Sequence, residues 1–129
     1  MSNPIAKLRL KAFQKQSGLC YYCESRMWLK NLERFANQHA ISKSAAARFQ
    51  CTAEHLVARC DGGSNKNDNI VAACIFCNQT RHKRRKPLVP VKHRAHIKRR
   101  LKQGKWHPKE LQHLVYRTAV RKNVLTTTP

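Results

Sequence analysis

Acidic residues are scarce in this sequence: six Asp and Glu stand against 27 Lys and Arg in 129 residues, a formal charge of +21 with histidine neutral. A chain so one-sided repels itself unless a polyanion is near, so nucleic acid is the expected partner. Long apolar runs are missing as well. No stretch approaches the roughly 18 residues that a membrane-spanning helix needs. The basic segments also lack the broad Trp/Phe/Leu face of a membrane-active peptide, so no membrane partner is expected. The opening from Met1 to Lys11 carries Lys7, Arg9 and Lys11 where a signal peptide would hold its apolar stretch. A cleaved secretion signal is therefore not expected, and a reducing, cytoplasmic setting is. No internal repeat is visible.

What is present argues for a fold rather than a basic tail. Hydrophobic residues make up 41% of the chain, with two Trp, four Phe and three Tyr, too many for a disordered segment. The length suits one domain with a modest core. The charge is uneven: from residue 81 onward Glu110 is the single acid among 16 Lys and Arg.

Ile5, Leu8, Ala12 and Phe13 recur at helical steps after Pro4, which predicts an amphipathic helix over Pro4 to Gln16, ended by Ser17-Gly18. Residues 24–50 are less patterned, although Ile41 to Phe49, with three consecutive alanines, favours helix. Cys51 to Arg59 reads as a short strand, and residues 61–69 are almost all turn formers. Ile70 to Ala73 reads as a second strand. A basic helix over Asn78 to Lys86, ended by Pro87, is expected next. Val91 to Lys102 and Pro108 to Lys122 carry helical spacing, with Gly104 between them. The Thr126–Pro129 end is expected to fray. Trp106 and Tyr116 fit core positions better than base-stacking ones.

Six cysteines are compatible with three disulfides, a metal site or plain core residues, and spacing separates these readings. Cys20-x-x-Cys23 and Cys74-x-x-Cys77 are two knuckles of the kind that hold tetrahedral zinc through four thiolates. Closure of a long intervening loop costs little more than closure of a short one. Cys51 and Cys60 have no such partner and read as buried or spare thiols.

Glu54 and His55 are adjacent, and a carboxylate retained among so many cations either holds a metal or pairs with an arginine. Asn78 and His82 are four apart on a helix, so their side chains leave the same face. Glu54, Asn78 and His82 form an oxygen and nitrogen set suited to a divalent ion with open positions.

These residues resemble the HNH endonucleases, also called ββα-metal or His-Me finger nucleases. The resemblance runs through Cys20-Tyr-Tyr-Cys23, Glu54-His55, Gly62-Gly63, Asn69-Ile70-Val71, and Cys74-Ile-Phe-Cys77-Asn78 with His82. It implies His55 as general base, Asn69 as the residue orienting it across a hairpin, and Glu54, Asn78 and His82 as the metal face. Glu54 stands where relatives often have Asp or His, and Asn78 where others have the second His of the name. Zinc-bearing relatives use the four cysteines structurally. The expected products are a 5′-phosphate and a 3′-hydroxyl.

The expected fold class is thus α+β: a small ββα-metal core at residues 1–90 with its zinc-binding CxxC pairs and an N-terminal helix, and a basic helical extension of the same domain at residues 91–129. The expected activity is metal-dependent hydrolysis of DNA. The expected cofactors are a structural Zn²⁺ and a catalytic Mg²⁺, Mn²⁺ or Ni²⁺. Arg81, Lys83, Arg84, Arg85, Lys98, Arg99 and Arg100 are candidate phosphate contacts on a duplex, with limited sequence specificity. The competing expectation is a zinc-stabilised nucleic-acid-binding protein without catalysis.

Overall fold

The structure is a computed structural model that describes residues 3–116. Helix α1 spans Pro4–Lys15. Proline at its first position has no N–H to orphan, and the Asn3 side chain accepts from the Ile5 N–H at 2.9 Å. The helix ends as Ser17-Gly18 suggested. Ser17 (φ 56°) and Gly18 (φ 76°) turn left-handed, and their N–H groups reach back to Gln14 O and Phe13 O, closing the last turn. Gln16 then clamps the next element: its carboxamide donates to Ala72 O and accepts from Ala72 N.

Two short helices fill the stretch whose pattern was weak. Helix α2 covers Leu32–Gln38 and α3 covers Lys43–Ala47, capped by Asn31 and Ser42. The predicted helix over Ile41 to Phe49 is thus only its middle part, and α2 was not foreseen. Phe35, Ala36, Ala46, Phe49, Leu111 and Leu114 form a small second core there.

Strands β1 (Cys51–His55) and β2 (Ile70–Cys74) pair antiparallel, with Cys51 opposite Cys74 and His55 opposite Ile70. The first strand stops at His55, four residues before the predicted Arg59, because the chain turns there into the long loop. Gly63 approaches Val57 so closely that a Cβ would lie 1.7 Å from the Val57 carbonyl oxygen; only glycine fits that loop.

Helix α4 spans Ile75–Lys83, starting and ending three residues earlier than predicted. Strand and helix share Cys74, whose extended backbone (φ −65°, ψ 148°) is the N-cap, so the second cysteine pair straddles the junction. Arg84 is already extended (ψ 141°), three residues ahead of Pro87. Helix α5 runs Pro90–Lys102 and buries His93 and Ile97. Lys109–Leu114 form a 3₁₀ helix rather than an α-helix. Three residues per turn put Leu111 and Leu114 on one side, and both are buried. The rest of the predicted Pro108–Lys122 helix and the Thr126–Pro129 end lie outside the described residues.

The main core surrounds the hairpin: Cys20, Tyr22, Cys23, Met27, Cys51, Ala72, Ala73, Cys74, Cys77, Ile97 and Trp106 are all buried in it. Trp106 is core as expected, whereas Tyr116 is exposed. Among the described residues no helix is long and apolar enough to cross a membrane. The architecture is the small mixed one expected, a two-stranded antiparallel sheet with helices around it and a cysteine cluster at its edge.

Candidate active site

The two CxxC knuckles meet. The sulfurs of Cys20, Cys23, Cys74 and Cys77 all lie within 4.8 Å of one another, and all four residues are buried. Their surroundings suit thiolates: Cys20 Sγ accepts from the N–H groups of Tyr22 (3.4 Å) and Cys74 (3.3 Å), and Cys77 Sγ accepts from the Trp106 indole (3.3 Å). Burial pushes the Cys74 and Cys77 thiols well up. At Cys20 burial acts the same way but is outweighed by hydrogen bonds from Cys23, Cys74 and Cys77, which hold it well below the usual thiol range. Four sulfurs so gathered fit one tetrahedral zinc ion. Cys51 is a separate buried thiol, pushed up to about 12 by burial, and Cys60 is exposed.

The carboxylate of Glu54 is 1% exposed. Alternation along β1 sends Thr52 and Glu54 to the face that α4 covers. Tyr22 donates its hydroxyl to Glu54 Oε2 at 3.0 Å, and Arg81 NH1 donates to the same oxygen at 3.1 Å. The other oxygen, Oε1, lies 3.0 Å from His82 Nε2. Burial first, then the Glu54 charge, pushes the Tyr22 phenol far up, so it stays a donor. One turn before His82, Asn78 donates its NH₂ to Thr52 Oγ1 at 3.0 Å.

By donor chemistry, an oxygen of Glu54 beside a ring nitrogen of His82 is a pair compatible with a divalent ion. The 3.0 Å between Glu54 Oε1 and His82 Nε2 is a hydrogen-bond distance. Of the two roles the sequence allowed Glu54, the structure shows the arginine's partner, through Oε2, while Oε1 is held by His82.

Arg81 departs from expectation. Its position in a run of cations pointed to a phosphate contact, but its side chain is 6% exposed. It donates to Glu54, to the carbonyls of His55 and Leu56, and to Leu88 O. A guanidinium with these four acceptors is a buried brace. Lys83, Arg84, Arg85 and Arg99 are exposed, and Lys98 and Arg100 are half-buried.

His55 Nε2 lies 2.9 Å from Asn65 Oδ1. Asn69, expected to orient His55, instead directs its side chain to the loop: it accepts from Val57 N at 2.8 Å and donates to Val57 O and Ser64 O. Its main-chain carbonyl accepts from Leu56 N. It thus ties down the residues that follow His55 rather than the imidazole. Sequence reading missed Tyr22, Asn65 and the bracing role of Arg81. Tyr22 had a signal in its place between the knuckle cysteines; Asn65 was one polar residue among many in a turn-rich loop.

No curated protein and no solved structure matches the chain. A family model does match: HNH endonuclease, over residues 42–84, a span that holds the hairpin, its loop and α4 with Glu54, His55, Asn69, Asn78 and His82. By that match, the segment from residue 42 to residue 84 is similar to the HNH endonucleases.

Proposed function

We propose that the protein is a metal-dependent endonuclease that hydrolyses DNA phosphodiester bonds, with zinc in the four-cysteine cluster as structural support. The observation that carries this reading is the buried Glu54, which offers one oxygen to His82 in a chain with 27 basic residues and six acidic ones. Arg81 neutralises Glu54 through Oε2, so what favours a metal is the second oxygen, Oε1, held beside His82 on the helix of the HNH-like segment.

A phosphodiester resists attack because its charge repels nucleophiles, so both the charge and the water's proton must be managed. Glu54 Oε1, His82 Nε2 and Asn78 Oδ1 would hold a divalent ion such as Mg²⁺, Mn²⁺ or Ni²⁺, which when bound neutralises the scissile phosphate and the leaving oxygen. His55 takes the proton. With Asn65 Oδ1 accepting from Nε2–H, the Nδ1 lone pair is the basic site, and such a base contributes roughly 10²- to 10⁴-fold. Asn69 holds the following loop in register, and Arg81 fixes both Glu54 and the His55 carbonyl. Lys83, Arg84, Arg85, Lys98, Arg99 and Arg100 supply duplex contacts with little sequence preference. The described part of the segment from residue 91 serves as an extension of the same domain; Ile97 of α5 packs in the main core.

The test is supercoiled plasmid incubated with Mg²⁺, Mn²⁺, Ni²⁺ or Zn²⁺ singly, beside an EDTA control and His55→Ala. Nicked or linear product that needs both the ion and His55 is expected. Product from His55→Ala equal to wild type overturns the base assignment. No product with any ion favours a zinc-stabilised nucleic-acid-binding protein, in which Arg81 alone neutralises Glu54.

A further inference from the structure

Tyr22 is fully buried and touches two sites at once. Its backbone N–H donates to Cys20 Sγ at 3.4 Å, and its hydroxyl donates to Glu54 Oε2 at 3.0 Å. The knuckle that shapes the cysteine cluster thus delivers a donor to the carboxylate of the other site. Arg81 NH1 sits on the same oxygen at 3.1 Å. Two donors on Oε2 fix the rotation of the carboxylate, and only Oε1 is left facing His82.

We propose that Tyr22 is a positioning residue that sets Glu54 for the catalytic divalent ion and couples that ion's affinity to occupancy of the four-cysteine zinc site. This rests on the reading above, in which Glu54 and His82 hold such an ion. The ring itself has separate work: it packs edge-on against Tyr21 (5.2 Å) and His93 (4.7 Å). A phenylalanine keeps those contacts and removes only the hydroxyl, leaving Oε2 with Arg81 alone. Partners that orient a ligand from behind are worth about 10- to 100-fold in metal affinity. Coupling between two ions is reciprocal, so whatever zinc does for the second ion the second ion does for zinc.

The experiment uses the full chain loaded with zinc, and Mn²⁺ as the probe, because four thiolates select zinc over manganese. Mn²⁺ binding is titrated by calorimetry in wild type, Tyr22→Phe and Glu54→Gln, with zinc content measured in each. Mn²⁺ binding that is lost in Glu54→Gln and weakened about tenfold or more in Tyr22→Phe, with zinc retained, is the expected result. Should Tyr22→Phe lose its zinc, wild type alone decides: chelator competition with and without saturating Mn²⁺ is expected to show tighter zinc when Mn²⁺ is bound. Mn²⁺ binding lost in Glu54→Gln but unchanged in Tyr22→Phe overturns the role of Tyr22 and leaves the metal site standing. Unchanged zinc affinity on adding Mn²⁺ overturns the coupling. Mn²⁺ binding indifferent to Glu54→Gln overturns the metal site itself, and this role with it.

Discussion

The indole N–H of Trp106 donates to the sulfur of Cys77 at 3.3 Å, so a residue beyond the end of α5 is hydrogen-bonded to the cysteine cluster. His93 adds a second tie, its Nε2 lying 3.1 Å from Cys77 O. Segments more than 15 residues downstream of the second knuckle therefore help to build its environment. A thiolate that accepts an N–H in a dry site is more stable as an anion, which is the form a metal needs.

Trp106→Phe keeps an aromatic ring beside Phe76, which sits 5.2 Å away, and removes the N–H. Zinc is expected to bind about tenfold more weakly, read by competition with a chromophoric chelator. An unchanged zinc affinity would show that the indole contributes packing alone.

Two arginines three residues apart are expected to behave in opposite ways. Arg81 is buried against Glu54, and removing one partner of a buried pair costs about 3–5 kcal/mol, so Arg81→Gln is expected to lower the melting temperature sharply. Arg84 is exposed. Arg84→Gln is expected to leave the melting temperature in place and to reduce the salt dependence of DNA binding, by about 0.9 in log K against log salt for each phosphate that the side chain neutralises. Matching melting curves for the two variants would refute the distinction.

That contrast marks where the sequence stops being readable. Spacing identified both knuckles, because zinc chemistry fixes CxxC geometry locally, and it found the hairpin, because two short apolar runs flank a loop of turn formers. It put Asn78 and His82 on one helix face, by a step of four, and the resemblance to HNH endonucleases added Glu54, whose Oε1 does meet His82. It could not separate Arg81 from Arg84. Both are cations on the same basic run, and which one turns inward depends on α4 starting at Ile75, set by the strand–helix junction at Cys74. Asn65 was equally hidden, because its meeting with His55 depends on a loop path that Gly63 permits through close approach to Val57.

Asn65 offers a sensitive test of the base proposed at His55. Its Oδ1 lies 2.9 Å from His55 Nε2, so Asn65→Asp places a negative charge where a neutral acceptor stood. That charge holds the ring in its present orientation more strongly, and cleavage is expected to persist. Asn65→Ala removes the acceptor without adding charge; cleavage is expected to fall while zinc content stays the same. Cleavage by Asn65→Ala equal to wild type would separate this loop from the chemistry.

The last prediction concerns stability and acid. His107 is buried; its Nδ1 accepts from Arg48 Nε at 2.9 Å, which places the proton on Nε2. Burial first, then the Arg48 charge, lowers its pKa from 6.5 to about 3. The unfolded chain therefore binds this proton more readily than the folded one. The contribution of neutral His107 is fully present above about pH 6.5 and is lost as pH falls toward 3, by up to about 1.4 kcal/mol per pH unit. His93, also lowered by burial, acts in the same direction. His107→Gln keeps an acceptor for Arg48 and cannot titrate. Its stability, measured by urea unfolding from pH 7 to pH 4, is expected to fall less steeply than that of wild type, the two curves converging as pH drops. Parallel curves would mean that His107 takes up its proton in the folded protein as easily as in the unfolded one.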